Sequence, residues 1–295
     1  MSPGPFDRAM ALSQLGSGRY QATLDPDWTI GPKVHGGTML ALCAAAAQAE
    51  LDGAPATSDP AGPNPAGPTG QPVAVSAGFL SAPDPGPVEL IATVRKRGRR
   101  ISLVDVELEQ GGRTAVRAAV TLGAPDVGPP LHADGGAELH RLPARPPASA
   151  VEVAGHPMAR IMHLAQVCDV RFDPASTAFL DGGPGAPEVR LWVRPKQEAT
   201  SALFALMAGD ISAPVTLNLG RFGWAPTVQL TAYLRGLPVD GWLRVSATST
   251  LVGGVWFEED HLVLDETGAV VVQSRQLALV PADPGERRSE PDVAG

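Results

Sequence analysis

Val73-Ala74-Val75-Ser76-Ala77-Gly78-Phe79-Leu80 returns, about 154 residues later, as Thr227-Val228-Gln229-Leu230-Thr231-Ala232-Tyr233-Leu234. Each version leads into a bend containing Pro or Gly and then an alternating run. That run is Val88-Glu89-Leu90-Ile91-Ala92-Thr93-Val94 in the first copy and Leu243-Arg244-Val245-Ser246-Ala247-Thr248-Ser249 in the second. A second alternating run follows, then a turn at Gly111-Gly112 or at Thr267-Gly268. The last strand reads Ala115-Val116-Arg117-Ala118-Ala119-Val120-Thr121-Leu122 in one copy and Val271-Val272-Gln273-Ser274-Arg275-Gln276-Leu277-Ala278 in the other. A repeat this long implies two similar domains, not a solenoid of short units. Where two copies share a scaffold and only one carries polar groups at core-facing positions, those groups are the first candidates for function.

Both halves share an order of elements. The first opens with a strand-like Gly18 to Leu24, then Val34-His35-Gly36-Gly37, then a helical stretch from Thr38 to Glu50. That stretch is Ala/Leu/Met-rich and apolar almost all round, the pattern of a helix buried on every side. The second half opens with His163 to Phe172 and Glu188 to Val193, and its helix is expected over Ala199 to Ala208. Four short strands follow each helix. A long apolar helix wrapped by a curled antiparallel sheet is the hotdog arrangement, and two in tandem make a double hotdog of the α+β class. The expected bounds are residues 10–124 and 155–283, with a linker over 125–154, a flexible loop insertion over 52–72 and a flexible tail over 284–295. These last segments are rich in Gly, Pro and small polar residues without an apolar period.

The chain, over nearly its whole length except the loops, resembles the acyl-CoA thioesterase II family and its actinobacterial thioesterase-like relatives. The resemblance rests on Ala202 to Asp210, Pro226 to Arg235, Gly241-Trp242-Leu243 and Gly268 to Gln276, and in the first half on His35-Gly36-Gly37. It implies hydrolysis of an acyl-CoA to free acid and CoA, without a serine nucleophile and without a metal or other cofactor. An Asp, a Thr and a Gln would hold a water against the thioester carbonyl, and these map to Asp210, Thr227 and Gln276. It also implies that His35-Gly36-Gly37 faces the acid of the other half, so that one site is assembled from both. A non-catalytic acyl-CoA or acyl-carrier binder, or another thioester chemistry on the same fold, is the alternative.

The residues themselves support each assignment. Asp210 follows Leu203 and Met207 at helical spacing. A carboxylate on that stripe is costly to ionise, which would make it a usable base. A turn after Gly209 is the other reading. Gln276 lies on the face of Val270, Val272, Ser274 and Ala278, where the first copy has Val120. A buried amide there needs partners. Thr227 pairs with Val73 in the repeat, although threonine is also common in strands for packing alone. Gln229 and Thr231 alternate with it and would be supporting partners. Gly36 and Gly37 let a backbone approach closely, and a helix N-terminus there suits a developing oxyanion. A tight turn with His35 partly buried is the bland reading of the same three residues.

Composition narrows the field further. The chain has 295 residues, 44% of them hydrophobic, and a net charge of −8. The charge argues against a nucleic-acid or anionic-membrane partner. No run approaches the ~18 apolar residues of a spanning helix, and the N-terminus has no basic or hydrophobic signal region. Cys43 and Cys168 read as reduced core thiols. The expectation is a cytoplasmic protein, compatible with homo-oligomers of double hotdogs. The sequence has no GxSxG elbow, HExxH motif or P-loop. The five tryptophans read as core or interface fillers.

Overall fold

The computed structural model describes residues 3–53, 70–133 and 136–282. The first half starts with helix α1 (Pro5–Ala9), strands β1 (Ser13–Gly16) and β2 (Arg19–Leu24), and the hairpin of β3 (Thr29–Ile30) and β4 (Lys33–Val34). Helix α2 (Gly36–Gly53) follows, then β5 (Gln71–Phe79), β6 (Gly86–Lys96), β7 (Ile101–Gln110) and β8 (Arg113–Gly123). A connection carrying α3 (Ala137–Arg141) and β9 (Val151–Glu152) leads to β10 (Cys168–Phe172), β11 (Glu188–Pro195) and helix α4 (Ala202–Ala208). The chain then makes β12 (Thr227–Leu234), β13 (Leu243–Thr248), β14 (Trp256–Leu264) and β15 (Val270–Leu279).

Thirteen of these strands form one sheet in the order β1-β2-β6-β7-β8-β5-β12-β15-β14-β13-β11-β10-β9. The order is a palindrome about the β5–β12 seam: β6-β7-β8-β5 on one side is answered by β12-β15-β14-β13 on the other. Val75 lies opposite Ala232 and Ala77 opposite Leu230 across that seam. Helices α2 and α4 pack on each other and on the inner face of the sheet. This is the α+β double hotdog, and alternation explains its strands. Val116, Ala118, Val120 and Leu122 of β8 point inward with Val104, Val106 and Leu108 of β7. Helix α2 is buried on nearly every side, from Gly37 through Ala47 with only Ala45 less than fully covered, as its unbroken apolar run requires.

Three expectations need correction. Helix α4 begins only at Ala202, capped by the Ser201 side chain on the Phe204 N–H, and stops at Ala208. The second half therefore has a short helix, because Gly209 closes it and Asp210 starts the turn toward Pro214. The stretch His163 to Phe172 is a strand only from Cys168, with a 3-10 turn over His163–Gln166 before it. The loop expected over 52–72 is helical at Asp52 and Gly53 and already strand at Gln71 and Pro72. Its centre, and the tail over 284–295, lie outside the described residues.

The repeat is also out of step by one residue along β12. Both β5 and β12 carry a bulge, between Pro72 and Ala74 in the first and between Thr227 and Gln229 in the second. Val75 faces Val120 in one half as Leu230 faces Gln276 in the other. The counterpart of Thr227 is thus Pro72, opposite Leu122, just as Thr227 is opposite Ala278. The bulge at Val228 shifts the alternation, since an extra residue reverses which face its successors occupy.

Candidate active site

Gln276 sits on the inner face of β15 between Ser274 and Ala278, where alternation predicts it. The bulge turns Thr227 toward the same face on neighbouring β12, and its hydroxyl donates to Gln276 Oε1 at 2.6 Å. Gln229 and Thr231 are not beside them. Beyond the bulge both face the other side of the sheet. Gln229 is exposed, and the Thr231 hydroxyl meets Ser76 Oγ at 2.9 Å across the β5–β12 seam. The expectation that they share a face with Thr227 fails because a two-residue period does not survive a bulge.

Asp210 comes to the site from the turn after α4, and the first half grips it there. Its Oδ2 accepts the Gly37 N–H at 2.7 Å. His35 Nε2 donates to the Asp210 carbonyl at 2.8 Å and lies 3.4 Å from Oδ2. The Thr38 N–H donates in turn to His35 Nδ1 at 3.3 Å. These bonds fix the tautomer, with the proton on Nε2. Burial holds the His35 pKa down to about 4, against some support from the Asp210 carbonyl. His35 is therefore a neutral clamp on the Asp210 backbone at ordinary pH. From below, the Ser274 hydroxyl donates to the Gly209 carbonyl and ties the turn to β15.

The two glycines are required by this approach. A Cβ on Gly37 would stand 2.5 Å from the Met207 carbonyl oxygen and 2.9 Å from Asp210 Cβ, and one on Gly36 would stand 2.8 Å from Asp210 Oδ2. The N-terminus of α2 thus touches the C-terminal turn of α4 through bare backbone. Of the first N–H groups of α2, which have no carbonyl inside the helix, Gly37 is committed to Asp210 and Thr38 to His35. The Gly37 N–H, one of the groups expected to face an oxyanion, is bonded to the acid.

Asp210 is buried, with 7% of its surface exposed. Desolvation pushes its pKa up to about 7, opposed by the Gly37 N–H. Such a carboxylate can exchange a proton near neutrality. It makes no direct hydrogen bond to Thr227 or Gln276.

A further acid lies behind the pair, and sequence reasoning passed it over. Glu259, on the inner face of β14, has no exposed surface. Its Oε2 accepts the Gln276 Nε2–H, and its Oε1 accepts the Val215 N–H at 2.7 Å. His261, two residues on, places Nε2 at 2.9 Å from Ser212 Oγ and 3.8 Å from Glu259 Oε2. Desolvation raises the Glu259 pKa to about 7, opposed by the Val215 N–H and the Gln276 amide and assisted by the nearby Asp210 charge. The signal was present in the repeat. β14 pairs Glu259 with Gln276 and His261 with Ser274, while β7 pairs Val104 with Val120 and Val106 with Ala118.

The mirror position in the first half is different. Val120, Val104, Val106 and Pro72 replace Gln276, Glu259, His261 and Thr227. Near the start of α4, a cleft of about 420 Å³ is lined by Phe6, Met10, Gln48, Gln71 and Ser201. Phe6 of α1 packs edge-on against Phe204 of α4, with ring centres 5.2 Å apart. Glu198 holds α1 in place by accepting the Phe6 and Asp7 N–H groups at 2.7 and 2.8 Å. Among the described residues no group of three or more His, Cys, Asp or Glu side chains gathers in the manner of a metal site.

The comparisons with known proteins match this tandem architecture. Residues 24–123 match the family model of the acyl-CoA thioesterase N-terminal domain and residues 138–280 that of the C-terminal domain. The chain belongs to the acyl-CoA thioesterase family. It is 49% identical to an uncharacterized protein of Mycobacterium tuberculosis (strain ATCC 25618 / H37Rv), over 94% of this chain and 98% of that one. Among solved structures, a protein of Thermobifida fusca YX provisionally assigned as a thioesterase II is 30% identical over 96% of this chain and 99% of its own, with a TM-score of 0.78. An acyl-CoA thioesterase II, TesB2, of Mycobacterium marinum shares the fold at 17% identity and a TM-score of 0.66, covering 95% of this chain and 100% of its own.

Proposed function

We propose that the protein hydrolyses an acyl-CoA to the free acid and CoA, with Asp210, Thr227 and Gln276 acting on one water. The observation that carries this reading is the buried Asp210 carboxylate, fixed from the other half by the Gly37 N–H and His35 and poised by desolvation near neutral pH. In the reaction, Asp210 Oδ takes a proton from the water while the water oxygen forms a bond to the thioester carbonyl carbon. The carbonyl π pair moves onto oxygen. The Gly36 N–H, in the first turn of α2, is the donor this reading assigns to that oxygen. Collapse of the intermediate breaks the C–S bond and releases a thiolate. Thiols have pKa values near 8.5, so the sulfur leaves without a strong acid. The proton held by Asp210 then returns to the thiolate or to solvent. Thr227 and Gln276 orient the water, and water exclusion around Asp210 strengthens each of these contacts.

Release of free thiol from a panel of acyl-CoAs, from two to about eighteen carbons, tests the reading, because a group of this kind contributes about 10²–10⁴-fold. Wild type should turn over at least one chain length, and Asp210→Asn should lose nearly all of that rate. A wild type inert on every member, or an Asp210→Asn enzyme with the wild-type rate, would overturn it.

A further inference from the structure

Glu259 has no place in the scheme so far, yet it is the most deeply buried acid of the cluster. Its position decides something the Thr227–Gln276 pair cannot decide alone. A primary amide can face Thr227 with either its oxygen or its nitrogen, and the two choices have opposite consequences for the hydroxyl. If the amide oxygen faces Thr227, the hydroxyl donates to it, and the Thr227 oxygen keeps its lone pairs for a hydrogen from water. If the amide nitrogen faces Thr227, the hydroxyl must accept, and its own hydrogen points at the water instead.

Above its raised pKa of about 7 Glu259 is ionised, and an ionised carboxylate only accepts hydrogen bonds. Glu259 Oε1 is anchored by the Val215 N–H, which leaves Oε2 directed at the Gln276 amide. The group of Gln276 that turns toward it must then be the NH2, and Oε1 is left for the Thr227 hydroxyl at 2.6 Å. We propose that Glu259 is a positioning residue for hydrolysis: through the Gln276 amide it fixes the Thr227 hydroxyl as a donor to Gln276, so that the Thr227 oxygen accepts a hydrogen bond from the attacking water. The inference rests on the reading of Asp210, Thr227 and Gln276 as the hydrolytic site. The chain of bonds runs water to Thr227 to Gln276 to Glu259, and a negative charge at its far end makes each acceptor along it stronger. Only this half carries the device, since Val104 stands at the Glu259 position in the first half.

Glu259→Gln is the informative substitution because it keeps shape and volume. Its amide oxygen stays with the Val215 N–H, and its NH2 then faces the Gln276 NH2. Gln276 must turn over, which reverses the Thr227 hydrogen bond. Melting temperature and circular dichroism check that the fold is kept. In an active enzyme, kcat should fall about 10- to 100-fold, the range for a group that orients a catalytic ligand, with KM little changed. The same substitution made in Thr227→Ala should cost much less, because most of the effect runs through Thr227. In protein labelled with ¹⁵N-glutamine, one Gln276 side-chain amide proton, identified by its loss in Gln276→Leu, should resonate far downfield at pH 8 and return to the ordinary range in Glu259→Gln.

An active wild type whose kcat survives Glu259→Gln overturns the positioning role alone, as does an equal further loss in the Thr227→Ala background. An unshifted Gln276 amide in the wild type overturns it as well. A wild type inert on the whole acyl-CoA panel overturns the hydrolytic reading, and the positioning role with it. Loss of kcat largely confined to the Thr227-containing enzyme, together with the shifted amide, supports it.

Discussion

At the scale of single residues, the site depends on acids held where they ionise with difficulty. Asp210 has an ordinary pKa of 3.8 and is raised by burial to about 7. A group raised in this way contributes stability below its unfolded pKa and loses it as pH climbs through the folded one. Asp210→Asn should therefore melt at a higher temperature than wild type at pH 8, with the gap shrinking steadily toward pH 5. A gap independent of pH would show that Asp210 is not desolvated. His35, lowered to about 4 by burial, has the opposite sign and loses its contribution as pH falls from its ordinary value. Activity should follow the carboxylate form, so kcat/KM should rise with pH through about 7 and then level off. A profile flat from pH 5 to 9 would rule out Asp210 as the base. Gln276 was legible because an amide interrupts an apolar alternation. Glu259 and His261 interrupt β14 in the same manner against Val104 and Val106 of β7. They are harder to read because Glu258-Glu259-Asp260-His261 is an unbroken polar run, which hides the alternation that marks Gln276.

At the scale of elements, the sequence reveals periods well and interruptions poorly. The apolar run of α2 and the four-strand sets were legible from spacing alone. The bulge at Val228 was not, because it depends on how β12 pairs with β15, and it moved Gln229 and Thr231 off the site face. Helix α4 is short for a local reason: Gly209 ends it early enough for Asp210 to turn back toward α2. The meeting of these two helices leaves no room at Gly37. Gly37→Ala should destabilise the fold by about 1–3 kcal/mol, the usual cost of overpacking, and should lower kcat by displacing Asp210. Denaturant midpoints and hydrolysis rates measure both effects. An alanine enzyme matching wild type in each would contradict the close approach of α2 to the Asp210 turn.

At the scale of the whole molecule, the proposed reading assigns the duplicated fold one functional site, not two. The seam makes a single sheet of both halves, and each half contributes what the other lacks: the first gives Gly37 and His35, the second gives Asp210, Thr227, Gln276 and Glu259. The mirror position has valines and a proline in their place, and α1 inserts Phe6 against Phe204 there. A water held against a carbonyl needs about two to four polar partners, and the mirror set supplies none from these positions. Calorimetric titration with a non-hydrolysable acyl-CoA analogue should give one ligand per chain, and two equivalent ligands would refute the asymmetry. The tandem fold was legible in the repeat, but the role of α1 was not, because a five-residue helix carries too little periodicity to be seen.

The central claim is that Asp210 acts on a water and forms no bond to the acyl group. A single turnover in ¹⁸O-labelled water, with enzyme in excess over acyl-CoA, tests it most directly. Attack by water must place one ¹⁸O in the free acid of that first turnover and leave Asp210 unlabelled. Attack by the carboxylate itself would form an anhydride, and water opening it at the Asp210 carbonyl would release acid carrying an unlabelled oxygen from Asp210 and leave ¹⁸O in the Asp210 side chain. Labelled acid with unlabelled Asp210 is the result expected here; unlabelled acid with labelled Asp210 would contradict the account.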